Sequence, residues 1–161
     1  MKKKYIIISL LILLLILFDQ GIKLLVLKTI VDKPVIIIDN FLKFIYIKNT
    51  GAAFGFLGNS TNILVILTVM LLYYLINEIR RNIDSKLSIV SLSLIISGAI
   101  GNLIDRLFRG YVIDYISFTL FKREMAVFNA ADIFISFGVI LLMYIIIRDG
   151  RSERISSRRK R

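Results

Sequence analysis

Four long apolar segments dominate the pattern of hydrophobic and polar positions along this chain. A membrane-spanning helix needs about 20 mostly apolar residues. The second and third segments meet that requirement directly, the first does so if its few polar residues lie in or near the membrane, and the fourth does so if it begins near residue 128. None has the charged face of a helix in a soluble bundle. The predicted spans are about 5–27, 61–79, 87–106 and 129–147.

Composition and charge support a polytopic membrane protein whose orientation can be read from its loops. The chain has 161 residues, 57% of them hydrophobic, and a net charge of +11. The N-terminus, the second loop and the basic tail at 148–161 hold thirteen basic and four acidic residues, against nine and seven elsewhere. Basic residues favour the cytoplasmic side, so both termini are expected there. The distribution of charge therefore indicates orientation, and the basic tail can also contact anionic lipid. Nucleic acid is a poor alternative partner.

The N-terminus and the first outer segment carry two further signals. The N-terminus resembles a signal peptide, but no small-residue cleavage site follows the apolar run, which favours a retained helix. The segment at about 28–60 contains two β-branched and aromatic runs, 35–38 and 41–47, separated by Asp39-Asn40. This arrangement predicts a small β-hairpin on the outer surface. The expected class is an all-α protein of one domain with a small extracytoplasmic β-cradle between helices 1 and 2.

Polar residues of three predicted helices fall at one depth. With a rise of 1.5 Å per residue, Asp19, Asn102, Asp105 and Asp132 lie about 22–28 Å from the cytoplasmic ends of their helices. In a hydrocarbon core of about 30 Å, these positions belong to the outer third or the outer boundary. Ionisable residues at such positions suggest function. Depth alone would pair Asp105 with Asp132.

Each polar cluster also has a structural interpretation. Asp19 and Lys23 have the i,i+4 spacing of an ion pair, which could simply neutralise the boundary. Asp105 with Arg106 could charge a helix end, and Asn129 could cap a helix and leave Asp132 in its first turn. Asp114, in an apolar segment, is a strand or turn residue about as often as a site. The small residues Ser97, Gly98 and Gly101 predict close helix packing.

The absence of His and Cys narrows the chemistry that the chain can perform. It excludes a Ser-His-Asp triad, a Cys nucleophile and a His-ligated zinc site. A Ser-Lys pair would have to use Lys23, and no motif supports it. Two neighbouring carboxylates are a better source of hydrolysis, because like charges keep one of them protonated while the other activates water.

Five ordered motifs resemble those of bacterial lipoprotein signal peptidase (signal peptidase II). They cover nearly the whole chain, from about residue 5 to 148. The motifs are Asp19-Gln20-x-x-Lys23, Asn49-x-Gly51-Ala52-Ala53-Phe54-Gly55, Gly101-Asn102-x-Ile104-Asp105-Arg106, Val112-Ile113-Asp114-Tyr115-Ile116 and Phe128-Asn129-x-Ala131-Asp132.

The resemblance implies an intramembrane aspartic endopeptidase of the bacterial cytoplasmic membrane. Such an enzyme removes the signal peptide of diacylglyceryl-modified prolipoproteins just before the lipidated cysteine, at the outer face. The resemblance makes Asp114 and Asp132 the catalytic pair and leaves Asp105 a structural or orienting role with Arg106. The supporting or substrate-contacting positions would be Asp19, Lys23, Asn49, Gly51, Asn102, Asp105, Arg106 and Asn129.

Two departures from the family pattern and two other functions accompany this interpretation. Lys48 stands where Arg is frequent and Tyr115 where Phe is common, which affects only expected substrate contacts.

The alternatives to a peptidase are a proton-coupled transporter or channel and a non-catalytic scaffold. A transporter site would lie near the midplane, often between repeats. We expect no metal or organic cofactor and a functional monomer.

Overall fold

A computed structural model describes residues 2–51, 61–81 and 85–159. Within these residues the element order is α1 (Lys2–Thr29), β1 (Val35–Ile38), β2 (Leu42–Asn49), α2 (Thr61–Arg81), α3 (Lys86–Arg109), β3 (Val112–Leu120), β4 (Arg123–Glu124) and α4 (Ala130–Arg159). The predicted motif that continues through Phe54 and Gly55, and the end of the predicted outer segment at Ser60, lie outside the described residues.

All four predicted spans are helices in the described part of the chain, and each is long and apolar enough to cross a membrane. Helix α4 continues beyond its predicted span into the basic tail, so this segment is helical to Arg159. In helices α1, α2 and α4, only 17–22% of the most apolar 18-residue stretch is buried inside the protein. In α3 the buried share is 67%. Helix α3 is therefore central, and the apolar outer faces of the others are suited to contact lipid.

Local sequence sets the ends of helix α3. Ser85 precedes it in extended conformation, and its Oγ accepts a hydrogen bond from the Ser88 backbone N–H at 3.3 Å. Gly110 follows it with φ +81°, and its N–H donates to Arg106 O. A hydroxyl before the first turn and a left-handed glycine after the last satisfy backbone groups that a helix leaves unpaired.

The sheet is antiparallel, with strand order β1-β2-β3-β4. The predicted hairpin is confirmed, since β1 and β2 flank a turn in which Asn40 has φ +55°. Strands β3 and β4, however, come from the segment between α3 and α4. The prediction that the sheet is formed by the segment between helices 1 and 2 was therefore only partly right. A short alternation of apolar and polar residues in 112–120 is a weak strand signal, and β3 gains its order by pairing with β2.

The core has two parts. One lies among the helices and contains Leu92, Ile95 and Ile96 of α3 with Leu72 and Leu75 of α2. The other joins the C-terminal end of α1 to β3 and to the start of α4, through Val26, Ile30, Ile113, Tyr115 and Ala130. The second cluster fixes one face of β3 against α1, so that the opposite face carries Asp114.

Glycines allow α3 and α4 to approach closely. A Cβ built on Gly98 would lie 2.3 Å from Ala131 O, and one on Gly138 would lie 2.6 Å from Ile95 Cγ1. The predicted small-residue packing of α3 is thus confirmed for Gly98 and Gly101, and Gly138 supplies its counterpart on α4. Ser91 Oγ donates to Gly138 O at 2.8 Å across the same contact.

We expect Gly138→Ala to destabilise the protein by about 1–3 kcal/mol, because the added methyl overlaps Ile95 and the Ser91 carbonyl. Gly21→Ala is the matched control, since a methyl added at Gly21 would meet nothing within 4 Å and alanine favours a helix. Thermal unfolding in detergent measures both variants. An unchanged midpoint for Gly138→Ala would contradict the close contact.

Candidate active site

The site forms where the C-terminal end of α1, the C-terminal end of α3, the first half of β3 and the start of α4 meet. Asp19 and Asp105 have no exposed surface, and Asp114 has 2%. Asp132 is half-buried. The prediction that polar groups of separate helices converge at one place is confirmed, and β3 adds a fourth element.

Lys23 is the centre of a buried ion cluster. Its Nζ lies 2.9 Å from Asp19 Oδ2 and 2.9 Å from Asp105 Oδ2, and all three side chains are fully buried. It also donates to Asn102 Oδ1 at 3.0 Å. The predicted Asp19–Lys23 pair is confirmed. Because buried charges are tolerated only when paired and hydrogen-bonded, the cluster depends on all of its members.

Asp105 belongs to this cluster rather than to a pair with Asp132 or Arg106. Its Oδ2 accepts from the Ile113 backbone N–H at 3.2 Å as well as from Lys23. Its Oδ1 accepts from Arg109 and Gln20. The depth-based pairing with Asp132 was wrong because helical rise gives height but not the direction in which a side chain points. Asp105 and Arg106 have different hydrogen-bond partners because neighbouring residues leave a helix about 100° apart, and their expected structural or orienting role stays a prediction.

Arg106 points toward the segment after β2. Its Nη2 donates to Gly51 O at 3.1 Å, and its Nη1 lies 3.5 Å from Asn102 O. Its Nε is buried without a hydrogen-bond partner among the described residues. A cation with an unused donor beside a carboxylate site is suited to bind a carbonyl oxygen.

Asn129 joins the two carboxylates expected to be catalytic. Its Nδ2 donates to Asp114 Oδ1 at 2.7 Å, and its backbone N–H donates to Asp132 Oδ2 at 3.1 Å. Asn49 Nδ2 donates to the other oxygen of Asp114 at 2.8 Å, and Asn102 Nδ2 to Asp132 Oδ1 at 2.8 Å. Each carboxylate is therefore held by two neutral N–H donors, and Asn129 contributes one to each.

The orientation of the Asn102 amide follows from its partners. Its Oδ1 accepts from Lys23 Nζ at 3.0 Å and from Asn129 Nδ2 at 3.2 Å. Both of those groups can only donate, so the amide nitrogen must face Asp132. The buried ammonium thereby determines which end of Asn102 meets the carboxylate.

The first turn of α4 is tied to its surroundings by its backbone N–H groups. Asn129 and Asp132 form a reciprocal cap, in which Asp132 N–H donates to Asn129 Oδ1 at 3.0 Å. Ala131 N–H donates to Asp19 Oδ1 at 3.1 Å, and Ala130 N–H to Tyr115 Oη at 3.1 Å. The predicted N-cap role of Asn129 is confirmed. The helix carrying Asp132 is fixed by α1 and by β3 as well as by its own cap.

Three contributors lie outside the predicted set of site residues. Tyr115, which stands where Phe is common in the family, is 4% exposed and packs against Phe44 on the face of β3 opposite Asp114. Gln20 Nε2 donates to Asp19, Gly101 and Asp105, and Arg109 pairs with Asp105. The i,i+4 spacing of Asp105 and Arg109 was the available signal for the latter.

Burial raises the pKa of the Asp114 carboxyl to about 6. The hydrogen bond from Asn49 opposes this shift, the negative charge of Asp132 adds to it, and Asn129 and Lys23 oppose it again. A desolvated carboxyl beside a second carboxylate can hold a proton near neutral pH. The arrangement is thus chemically able to provide one protonated and one ionised group, as acid–base hydrolysis requires.

Fold and site together define a polytopic membrane protein with a carboxylate pair at the ends of its helices that adjoin the sheet. The profile of the signal peptidase (SPase) II family matches residues 11–148. A lipoprotein signal peptidase of Clostridioides difficile (strain 630) is 43% identical over 150 residues, covering 89% of this chain and 97% of the relative. One from Clostridium tetani (strain Massachusetts / E88) is 40% identical over 147 residues, covering 86% and 92%.

A solved structure is similar throughout. It is a bacterial membrane enzyme determined by the in meso method at 2.3 Å resolution, with a TM-score of 0.81 and 30% identity. The match covers 89% of this chain and 88% of that one. The chain belongs to the signal peptidase II family. It is a bacterial membrane peptidase of the lipoprotein-processing class, so the predicted resemblance is confirmed.

Lys23→Met should destabilise the protein by about 3–5 kcal/mol, because it leaves Asp19 and Asp105 buried without their shared cation. Lys43→Met is the matched control, since the Lys43–Glu124 pair is largely exposed and such pairs contribute about 0–1 kcal/mol. Chemical unfolding in detergent compares the two. Equal losses would show that the buried cluster is not the stabilising element.

Proposed function

We propose that the protein is an aspartic endopeptidase that uses Asp114 and Asp132 to remove signal peptides from diacylglyceryl-modified prolipoproteins. Cleavage falls just before the lipidated cysteine. The observation that carries this proposal is the shared Asn129, which holds one oxygen of each carboxylate with a separate N–H. Membership in the signal peptidase II family supports the substrate class.

The two carboxyl groups differ in their surroundings. Asp114 is almost fully buried, and its pKa, raised to about 6, lets it keep its proton to a higher pH than an ordinary carboxyl group. Asp132 is half-buried and lies in the first turn of α4, where the helix dipole stabilises a negative charge. We therefore assign the resting proton of the pair to Asp114.

This assignment gives each residue a step in hydrolysis. Asp132 removes a proton from water, whose oxygen attacks the scissile carbonyl carbon. Asp114 donates its proton to the carbonyl oxygen. Proton transfer from Asp132 to the amide nitrogen then allows the C–N bond to break, and Asp114 takes back the proton of the collapsing intermediate. Both carboxyl groups thereby return to their starting protonation states.

The remaining site residues position the pair and the substrate. Asn49, Asn102 and Asn129 hold the carboxylates by hydrogen bonds. Asp19, Lys23 and Asp105 hold the elements on which the pair is carried. Arg106 has a buried Nε without a partner in the described structure and contacts Gly51, so we assign it to a substrate carbonyl beside the scissile bond.

Topology supports action at the outer boundary of the bacterial cytoplasmic membrane. The excess of basic residues at the two termini and in the second loop indicates a cytoplasmic location for those segments. The carboxylate pair lies at the opposite ends of the helices, next to the sheet. Water is available there, and the signal peptide can remain in the bilayer. The described contacts complete the site within one chain, which supports a functional monomer.

Asp114→Asn and Asp132→Asn should each reduce cleavage by about 10²–10⁴-fold or more, because one proton-transfer group is lost. Asp39→Asn, in the exposed β1–β2 turn, should cleave at the wild-type rate. The measurement is the size shift of a diacylglyceryl prolipoprotein incubated with each purified protein in lipid. Circular dichroism shows whether the variants remain folded. Undiminished cleavage by either catalytic-site variant would overturn the pair.

The pH dependence of kcat/KM tests the assignment of the proton. Activity should fall as pH rises through the upper apparent pKa of the pair, near 6 in the free enzyme, because both carboxylates then ionise. Asn49→Ala removes a hydrogen bond that favours ionised Asp114, so the alkaline limb should move to higher pH. A shift to lower pH would contradict the role of Asp114.

A further inference from the structure

The end of the sheet farthest from the catalytic pair carries two adjacent turns. Thr119 N–H donates to Phe41 O at 2.8 Å, which places the β1–β2 turn beside the β3–β4 turn. Leu42 pairs with Phe118, and Leu120 with Arg123, at this same end. Six residues of extended strand, about 20 Å, separate Leu120 from Asp114.

The β3–β4 turn has a residue that the local fold does not explain. The turn consists of Phe121 and Lys122, with φ +50° and +62°. Tight hairpin turns with two left-handed residues favour Asn-Gly, because other side chains crowd the backbone in this region. Phe121 is 98% exposed, so within the described residues no contact compensates for its unfavourable backbone conformation.

Apolar exposure continues along the neighbouring strand. All four residues of β1 are at least 41% exposed, and Phe41, Leu120 and Met125 are 40–45% exposed. A contiguous apolar surface of this kind is unusual in contact with water and marks an interaction surface. Strand β1 begins six residues after the end of α1, so this surface is continuous with the outer end of a membrane-spanning helix.

Charges beside the turn are mainly basic. Lys122 and Arg123 are exposed. The charge of Glu124 is neutralised by Lys43, whose Nζ lies 2.6 Å from Glu124 Oε1. An apolar tip flanked by cations is the composition of segments that lie in the headgroup region of a bilayer, where the ring enters the acyl boundary and the cations meet lipid phosphates.

We propose that this end of the sheet, the turn anchor formed by Phe121, Lys122 and Arg123 with Phe41 and the exposed face of β1, inserts into the outer leaflet and prefers anionic phospholipid. The proposal rests on the membrane-spanning fold and not on the proposed cleavage reaction. Its consequence for the site is mechanical. Strand β3 is fixed near Asp114 by the Asp105–Ile113 hydrogen bond and at its far end by the bilayer.

Phe121→Trp tests insertion directly, because the chain contains no other tryptophan. The variant is reconstituted in phosphatidylcholine vesicles with and without phosphatidylglycerol, and with brominated acyl chains. We expect blue-shifted emission and quenching by brominated lipid. Leu14→Trp, on the exposed face of α1, is the positive control, and N-acetyl-tryptophanamide with the same vesicles is the water reference.

Each outcome decides the proposal. Emission like the water reference, with quenching by iodide but not by brominated lipid, would overturn insertion. Protection from both quenchers would indicate a protein partner and would also overturn it. Phosphatidylglycerol should deepen insertion, and Phe121→Trp with Lys122→Gln and Arg123→Gln should lose that dependence. Equal depth in both vesicles would overturn the anionic preference. None of these measurements requires cleavage, so the proposal can fail or stand independently of the proposed function.

Discussion

The fully buried ammonium of Lys23 is the constraint on which the rest of the site depends. A buried charge is stable only when its hydrogen-bonding capacity is used. Lys23 meets this condition with Asp19 on its own helix and with Asp105 and Asn102 on α3. Asp19 then receives the Ala131 N–H of α4, and Asp105 the Ile113 N–H of β3. One cation thus fixes the relative positions of the two elements that carry Asp114 and Asp132.

The same arrangement explains why the site needs a glycine-lined contact. A Cβ on Gly101 would lie 2.6 Å from Asp19 Oδ2, so a larger residue would displace the carboxylate from Lys23. Gly98 performs a similar role against the Ala131 carbonyl in the first turn of α4. Close helix packing and buried ion pairing therefore depend on each other. The apolar outer helix faces can vary with little effect, whereas this contact cannot.

The sequence predicted the spans, the hairpin, the Asp19–Lys23 pair and the N-cap at Asn129, because each depends on local spacing along the chain. It could not predict the partners of Asp105 on α1 and β3, since these are fixed by the rotation of α3 against those elements. It also missed that β3 completes the sheet, because strand pairing joins residues about 70 positions apart. The burial of Tyr115 could not be predicted for the same reason, since alternation along β3 turns its side chain away from Asp114.

Charge compensation separates the structural carboxylates from those proposed to react. Asp19 and Asp105 contact the cations Lys23 or Arg109, whose charges offset theirs. Within the ranges that the structure describes, Asp114 and Asp132 form no ion pair and are held by neutral amide donors. Arg106 and Lys23 act on this pair only through longer-range electrostatic interactions. Two carboxylates held by one asparagine favour sharing one proton. This difference, rather than depth or sequence order, distinguishes a pair suited to acid–base chemistry from the aspartates that support it.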